Sequence, residues 1–158
     1  MTRIVFSGGR VFTGRATEPG DVVVEGDRIV DVGIGLDGDT VVDATGHTIL
    51  PGLFDCHVHF MFSGADLVRS LNTPFSLPFY EAIGNMKATL ECGITTVRDA
   101  LGADLGVAEA VRRGLVPGPR MQIAVNMVSQ TGGHNDDWMQ CGAHVSPPWP
   151  AGYWPEAG

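Results

Sequence analysis

Two histidines set two positions apart, His57 and His59 in the run Asp55-Cys56-His57-Val58-His59, are the residues of this sequence best suited to chemistry. Successive side chains on a β-strand point to opposite faces, so the two imidazoles project the same way, about 6–7 Å apart along the strand. Imidazoles on one face can share a metal ion. Asp55 lies on that face one step deeper, where it either supports the histidines from behind or acts as a strand-end hydrogen-bonding residue. Spacing alone is weak evidence, because a chain of 158 residues with five histidines readily produces such a pair by chance. The surroundings of the pair have to decide.

Other candidate residues carry less. His134 stands in the glycine-flanked loop Thr131-Gly132-Gly133-His134, where it either meets a ligand or is simply solvated. Arg98 and Asp99 close a β-branched run, Ile94 to Arg98, and suit either contact with a substrate or a local ion pair. The single lysine, Lys87, lies within a helical pattern rather than at a strand end. Cys56, Cys92 and Cys141 are odd in number, far apart and without Cys-x-x-Cys spacing, which argues against a disulfide framework and a thiolate metal site. All three are read as reduced thiols. Trp138, Trp149 and Trp154 either line a pocket or wait for contacts further along the protein.

Something must hold the histidines in place. The first fifty residues read as β structure: Ile4 to Phe6 and Arg10 to Thr13 as short strands around Gly8-Gly9, then Val22 to Val24 and Ile29 to Val32 flanking the turn Glu25-Gly26-Asp27-Arg28. Thr40 to Asp43 and His47 to Leu50 follow. No helical period appears, so residues 1–51 are expected to form a segment of a small β-sandwich or a meander.

After Pro51-Gly52 the pattern changes. Leu53 to His59 reads as a strand, and Phe79, Ala82, Ile83, Met86 and Leu90 keep the i, i+3, i+4, i+7 spacing of an amphipathic helix that starts at Ser76-Pro78 and stops at Gly93. Ile94 to Arg98 is a second strand. Asp104 to Arg113, with Leu105, Ala108 and Val111 on one face, is a second helix, and Met121 to Val125 a third strand. Strand and helix in alternation predict right-handed βαβ units and a parallel sheet. The fold class is therefore α/β, with residues 52–158 as the first βα units of a TIM-type (β/α)8 barrel. A whole barrel takes about 250 residues, so this one is expected to be incomplete and truncated. From about Ser129 the pattern fails, and Pro147-Pro148-Trp149-Pro150 reads as loop.

Composition limits the partners. The formal charge of -8 and the scattered nine arginines give no basic stripe, which excludes nucleic acid. No apolar run approaches the roughly 20 residues of a membrane-spanning helix, and glycine interrupts the start before a secretory core could form. A cytoplasmic protein without a membrane partner is the expectation.

The run Asp43-Ala44-Thr45-Gly46-His47-Thr48-Ile49-Leu50-Pro51-Gly52-Leu53-Phe54-Asp55-Cys56-His57-Val58-His59 resembles the opening segment of the amidohydrolase superfamily, in which a β-sandwich leads through a Pro-Gly step into His-x-His. Gly93-Ile94-Thr95-Thr96-Val97-Arg98-Asp99 and Ser129-Gln130-Thr131-Gly132-Gly133-His134 are similar to its Xaa-Pro dipeptidase and imidazolonepropionase-like branch. The resemblance implies a metal-dependent hydrolase of C–N bonds, a dipeptidase, carboxypeptidase or N-acyl amino acid amidase when full length. It implies two zinc ions, with His57 and His59 as metal ligands, His134 in substrate binding, and small peptides or N-acyl amino acids as substrates of a homo-oligomer. It further implies a bridging lysine, two more histidines and an aspartate at later strand ends. Lys87 is wrongly placed for the bridge, and two imidazoles are fewer than the three or more protein ligands of a catalytic zinc. A deaminase or cyclic-amide hydrolase of the same superfamily is the alternative within enzymes. The alternative of another class is an inactive fragment, with an open sheet edge that makes it poorly soluble or oligomeric.

Overall fold

In the computed structural model, residues 2–64, 66–133 and 141–143 are described. They form two compact units, Met1–Pro51 and Gly52–Gly158.

The first unit is one mixed five-stranded sheet. Its strands are β1 (Arg3–Phe12), β2 (Thr17–Glu25), β3 (Arg28–Gly33), β4 (Thr40–Asp43) and β5 (Thr48–Ile49). The order is β3-β2-β1-β4, and β5 also pairs with β1. β1, β2 and β3 run antiparallel as a meander, whereas β4 and β5 add to the free edge of β1 in parallel. The two short strands expected around Gly8-Gly9 are one ten-residue strand. Its register shifts between Phe6 and Gly9, with Gly8 at φ 78°, so the glycines mark a bulge within a strand rather than a break between two. Val5, Val22, Val23 and Ala44 are its buried apolar residues. Asp21 is buried beside them and ties the sheet together. Its carboxylate accepts hydrogen bonds from Ser7 Oγ and the Gly8 amide, and from the amides of Gly35 and Leu36 beyond β3.

The second unit contains β6 (Leu53–Val58), α1 (Leu67–Asn72), α2 (Leu77–Glu91), β7 (Ile94–Asp99), α3 (Leu105–Arg112) and β8 (Arg120–Ile123). β6, β7 and β8 form a parallel sheet in that order, as strand and helix in alternation require. Gly93, at φ 83°, ends α2 where expected. Phe60, Met61, Ala82, Met86, Val97, Ala103 and Val107 make the buried core between sheet and helices.

Three expectations need correction here. α3 buries Val107 and packs Val111 against the same core but leaves Leu105 73% exposed, so only part of the 105/108/111 stripe faces inward. The reason is spacing: 107 and 111 lie one turn apart on one side, whereas 105, two positions before 107, points about 160° away from it. β8 ends at Ile123 rather than Val125, because Val125 adopts φ 62°, which strand geometry excludes. α1 was not expected at all; Asp66 caps it by accepting the Arg69 amide at 3.0 Å.

Candidate metal centre

β6 starts under tight constraint. Leu53 pairs with Ile94 and Phe54 with Thr96, so Thr95 is an extra residue in β7, and a Cβ on Gly52 would meet the Thr95 side chain, its Cβ at 2.7 Å. Only glycine leaves the space that the Thr95 side chain fills here. The strand then delivers His57 and, one residue beyond its end at Val58, His59.

The two imidazoles converge. Nε2 of His57 and Nε2 of His59 lie 3.1 Å apart, the rings edge to face with centroids at 4.9 Å. Two nitrogens bound to one tetrahedral zinc at about 2.05 Å each would stand about 3.3 Å apart, so the spacing fits a shared ion with a shift of tenths of an ångström. His59 Nδ1 faces the Leu101 carbonyl at 3.3 Å. With the proton on Nδ1, Nε2 keeps its lone pair, which is the form a metal ligand needs. Among the described residues no group of three or more His, Cys, Asp or Glu side chains is arranged to hold a metal.

The neighbours take distinct roles. Asp55 Oδ1 accepts the His57 amide at 3.0 Å and thus braces the backbone of the histidine-bearing strand, not an imidazole. Arg98 Nε donates to the Cys56 carbonyl at 2.9 Å, tying β7 to β6. Asp99, the last residue of β7, is fully buried. Its Oδ2 accepts the Phe60 amide at 2.8 Å, and its Oδ1 the amides of Leu101 at 3.1 Å and Ala103 at 3.3 Å. The ion pair considered for Arg98 and Asp99 is thereby replaced by two separate backbone attachments. Burial pushes the Asp99 carboxyl above its ordinary pKa, against the three amide bonds and the field of His59, which pull it down. Sequence reasoning missed this role; the only signal was a carboxylate at a strand end ahead of Ala100-Leu101-Gly102-Ala103.

Lys87 is exposed on α2, 3.8 Å from Glu91 one turn on, as a helix-flank lysine should be. Cys56, Cys92 and Cys141 are free thiols at the surface. His134, Trp138, Trp149 and Trp154 lie outside the described residues. Among the described residues no helix is long and apolar enough to cross a membrane.

The sequence and the fold also match known proteins. Residues 48–147 match the amidohydrolase family. An imidazolonepropionase of Streptomyces griseus subsp. griseus is 32% identical over 148 residues, covering 84% of this chain and 37% of the relative. A 5-methylthioadenosine/S-adenosylhomocysteine deaminase of Thermococcus kodakarensis is 35% identical over 115 residues, covering 70% of this chain and 26% of its own. A prolidase solved in complex with N-methylphosphonate-L-proline superposes with a TM-score of 0.81 at 36% identity, over 96% of this chain and 39% of that one. The chain thus spans well under half the length of these proteins.

Proposed function

The chain belongs to the amidohydrolase family, and on that premise we propose that it carries the first metal ligands, His57 and His59, of a hydrolase that cleaves amide bonds of small peptides or N-acyl amino acids. The observation that carries this reading is the 3.1 Å approach of the two Nε2 atoms at the C-terminal end of β6, the end at which barrel enzymes build their active sites. Similarity to a prolidase over 96% of the chain supports the peptidase side of the reading. Similarity to an imidazolonepropionase over 84% of it supports a second one, hydrolysis of a cyclic amide.

Two zinc ions are the expected cofactors, and a bound zinc would supply Lewis acidity towards the scissile carbonyl and an acidified water. What this chain does is narrower. His57 and His59 offer two neutral nitrogens with the right separation, Leu101 sets the proton on His59, and Asp55 and Arg98 fix the strand that bears the ligands. No described carboxylate at this mouth is available to move a proton. Asp55 is engaged with its own strand, and Asp99 is buried with both oxygens accepting amides. The remaining ligands and the proton carrier are expected from outside the described residues. His134 is proposed to contact the substrate.

The test is an assay of the protein with whatever sequence its gene encodes on either side. An Xaa-Pro dipeptide, an N-acyl amino acid and an imidazolone are offered in parallel, with and without a zinc chelator. Chelator-sensitive release of the amino acid is expected, and its loss in His57→Asn. Turnover that survives both the chelator and the substitution would sink the reading.

A further inference from the structure

The strand-end turn after His59 and the loop after β7 are held by one buried carboxylate. Asp99 Oδ2 takes the amide of Phe60, the residue next to His59, while Oδ1 takes the amides of Leu101 and Ala103. The carbonyl of that same Leu101 faces His59 Nδ1. The loop is pinned from its far side too, because the Gly102 amide donates to the Val125 carbonyl at 3.0 Å. Gly102, at φ 106°, sits in a backbone conformation that disfavours a side chain, and a Cβ would stand 3.0 Å from the Phe62 ring and 3.1 Å from Met61 Cβ. Phe62 in turn packs edge to face against His59.

We propose that Asp99 is the positioning residue of the centre: by clamping the amides of Phe60 and Leu101 to one carboxylate, it holds the Leu101 carbonyl on His59 Nδ1 and so keeps Nε2 unprotonated and aimed at the ion. The inference rests on the reading of His57 and His59 as metal ligands, but its first consequence concerns the free protein. Imidazole in water favours the proton on Nε2 only slightly, so a single backbone carbonyl held in place is enough to reverse the preference. The Asp99 carboxylate hydrogen-bonds both the chain beyond His59 and the loop that meets its ring. Asparagine at 99 would place an amide NH2 where an amide N–H now donates, so at least one clamp opens.

Nitrogen NMR of the histidine rings in the metal-free chain, at a pH where imidazoles are neutral, reads the tautomer directly. Wild-type His59 is expected as the Nδ1–H form; an Nε2–H ring there overturns the proposal whatever the variants do. In Asp99→Asn the His59 signal is expected to move towards the Nε2–H form, and His57, whose Nε2 lies 3.1 Å from that of His59, towards its Nδ1–H form. Zinc affinity, by calorimetric titration with the metal alone, should fall about 10- to 100-fold, the usual effect of losing an outer partner of a ligand. Asp21→Asn removes a carboxylate that likewise clamps two loops, in the other unit, and should alter neither readout. A folded Asp99→Asn with the wild-type tautomer overturns the proposal. If wild type binds no zinc at the pair, the metal reading falls, and the tautomer comparison still judges Asp99.

Discussion

Alanine at Gly52 tests how the histidine-bearing strand is seated. The new Cβ would lie 2.5 Å from Thr95 Cγ2 and 2.7 Å from Thr95 Cβ, closer still to Oγ1, and well inside contact distance. The backbone at 52 is not in the left-handed region, so the substitution should gain about 0.4–1 kcal/mol from a less flexible unfolded chain. Relieving the overlap should cost about 1–3 kcal/mol, because Thr95 is the extra residue of a register shift and cannot rotate away without moving β7 against β6. The net loss is then about 1–2 kcal/mol, or a fall of about 5- to 30-fold in the protection of the amides of Leu53–Val58 against hydrogen exchange. Exchange read by mass spectrometry suits a chain of two units, since it reports each segment without assuming one global transition. Adding Thr95→Ala removes Oγ1 and Cγ2 and leaves only the Cβ overlap, so the double variant should be at least about 1 kcal/mol more stable than the sum of the single changes. Additivity within about 0.5 kcal/mol would refute the packing argument.

Other expectations concern the frame around the site. Val107→Ala should cost about 1–2.5 kcal/mol in denaturant unfolding and Leu105→Ala no more than about 0.5, since the first is buried and the second is exposed; the reverse order would restore the 105/108/111 face. Asp104→Ala removes the side chain that accepts the Val107 amide at 2.9 Å and should destabilise α3 by about 1 kcal/mol, visible as faster exchange in its first turn. Hydrogen bonds from the Gly8 amide first, then from Leu36, Ser7 and Gly35, hold the Asp21 carboxyl below its ordinary pKa. Its contribution is therefore complete above the ordinary carboxylate range and lost as pH falls through the lowered value. The protection of β2 and β3 against exchange, taken relative to the unfolded-chain rate at each pH, should fall in acid, and Asp21→Asn should remove that step.

Much of the frame was legible because periodicity is local. The helix over Leu77–Glu91 and the strands around it follow from apolar spacing and glycine stops within a few residues of each other. The His57/His59 pair was legible for the same reason, the alternation of one strand. What escaped depends on distant residues. Asp99 owes its role to Phe60, 39 positions away, and nothing in its own neighbourhood requires that contact. The continuity of β1 through Gly8-Gly9 depends on pairing with β2 and on Ala44, whose side chain lies against Gly9. Leu105 was misplaced because a leucine at a helix start can satisfy the pattern and still face water, the core slot having gone to Val107, four residues after Ala103.

The most direct test of the central claim is a zinc titration of the chain followed by the ring nitrogen signals of its histidines. The account predicts that the Nε2 signals of His57 and His59 shift together on the same binding curve, that His47 does not take part, and that His57→Asn or His59→Asn abolishes that curve. Zinc that leaves the two signals unmoved, or binds equally well without either ring, would contradict it.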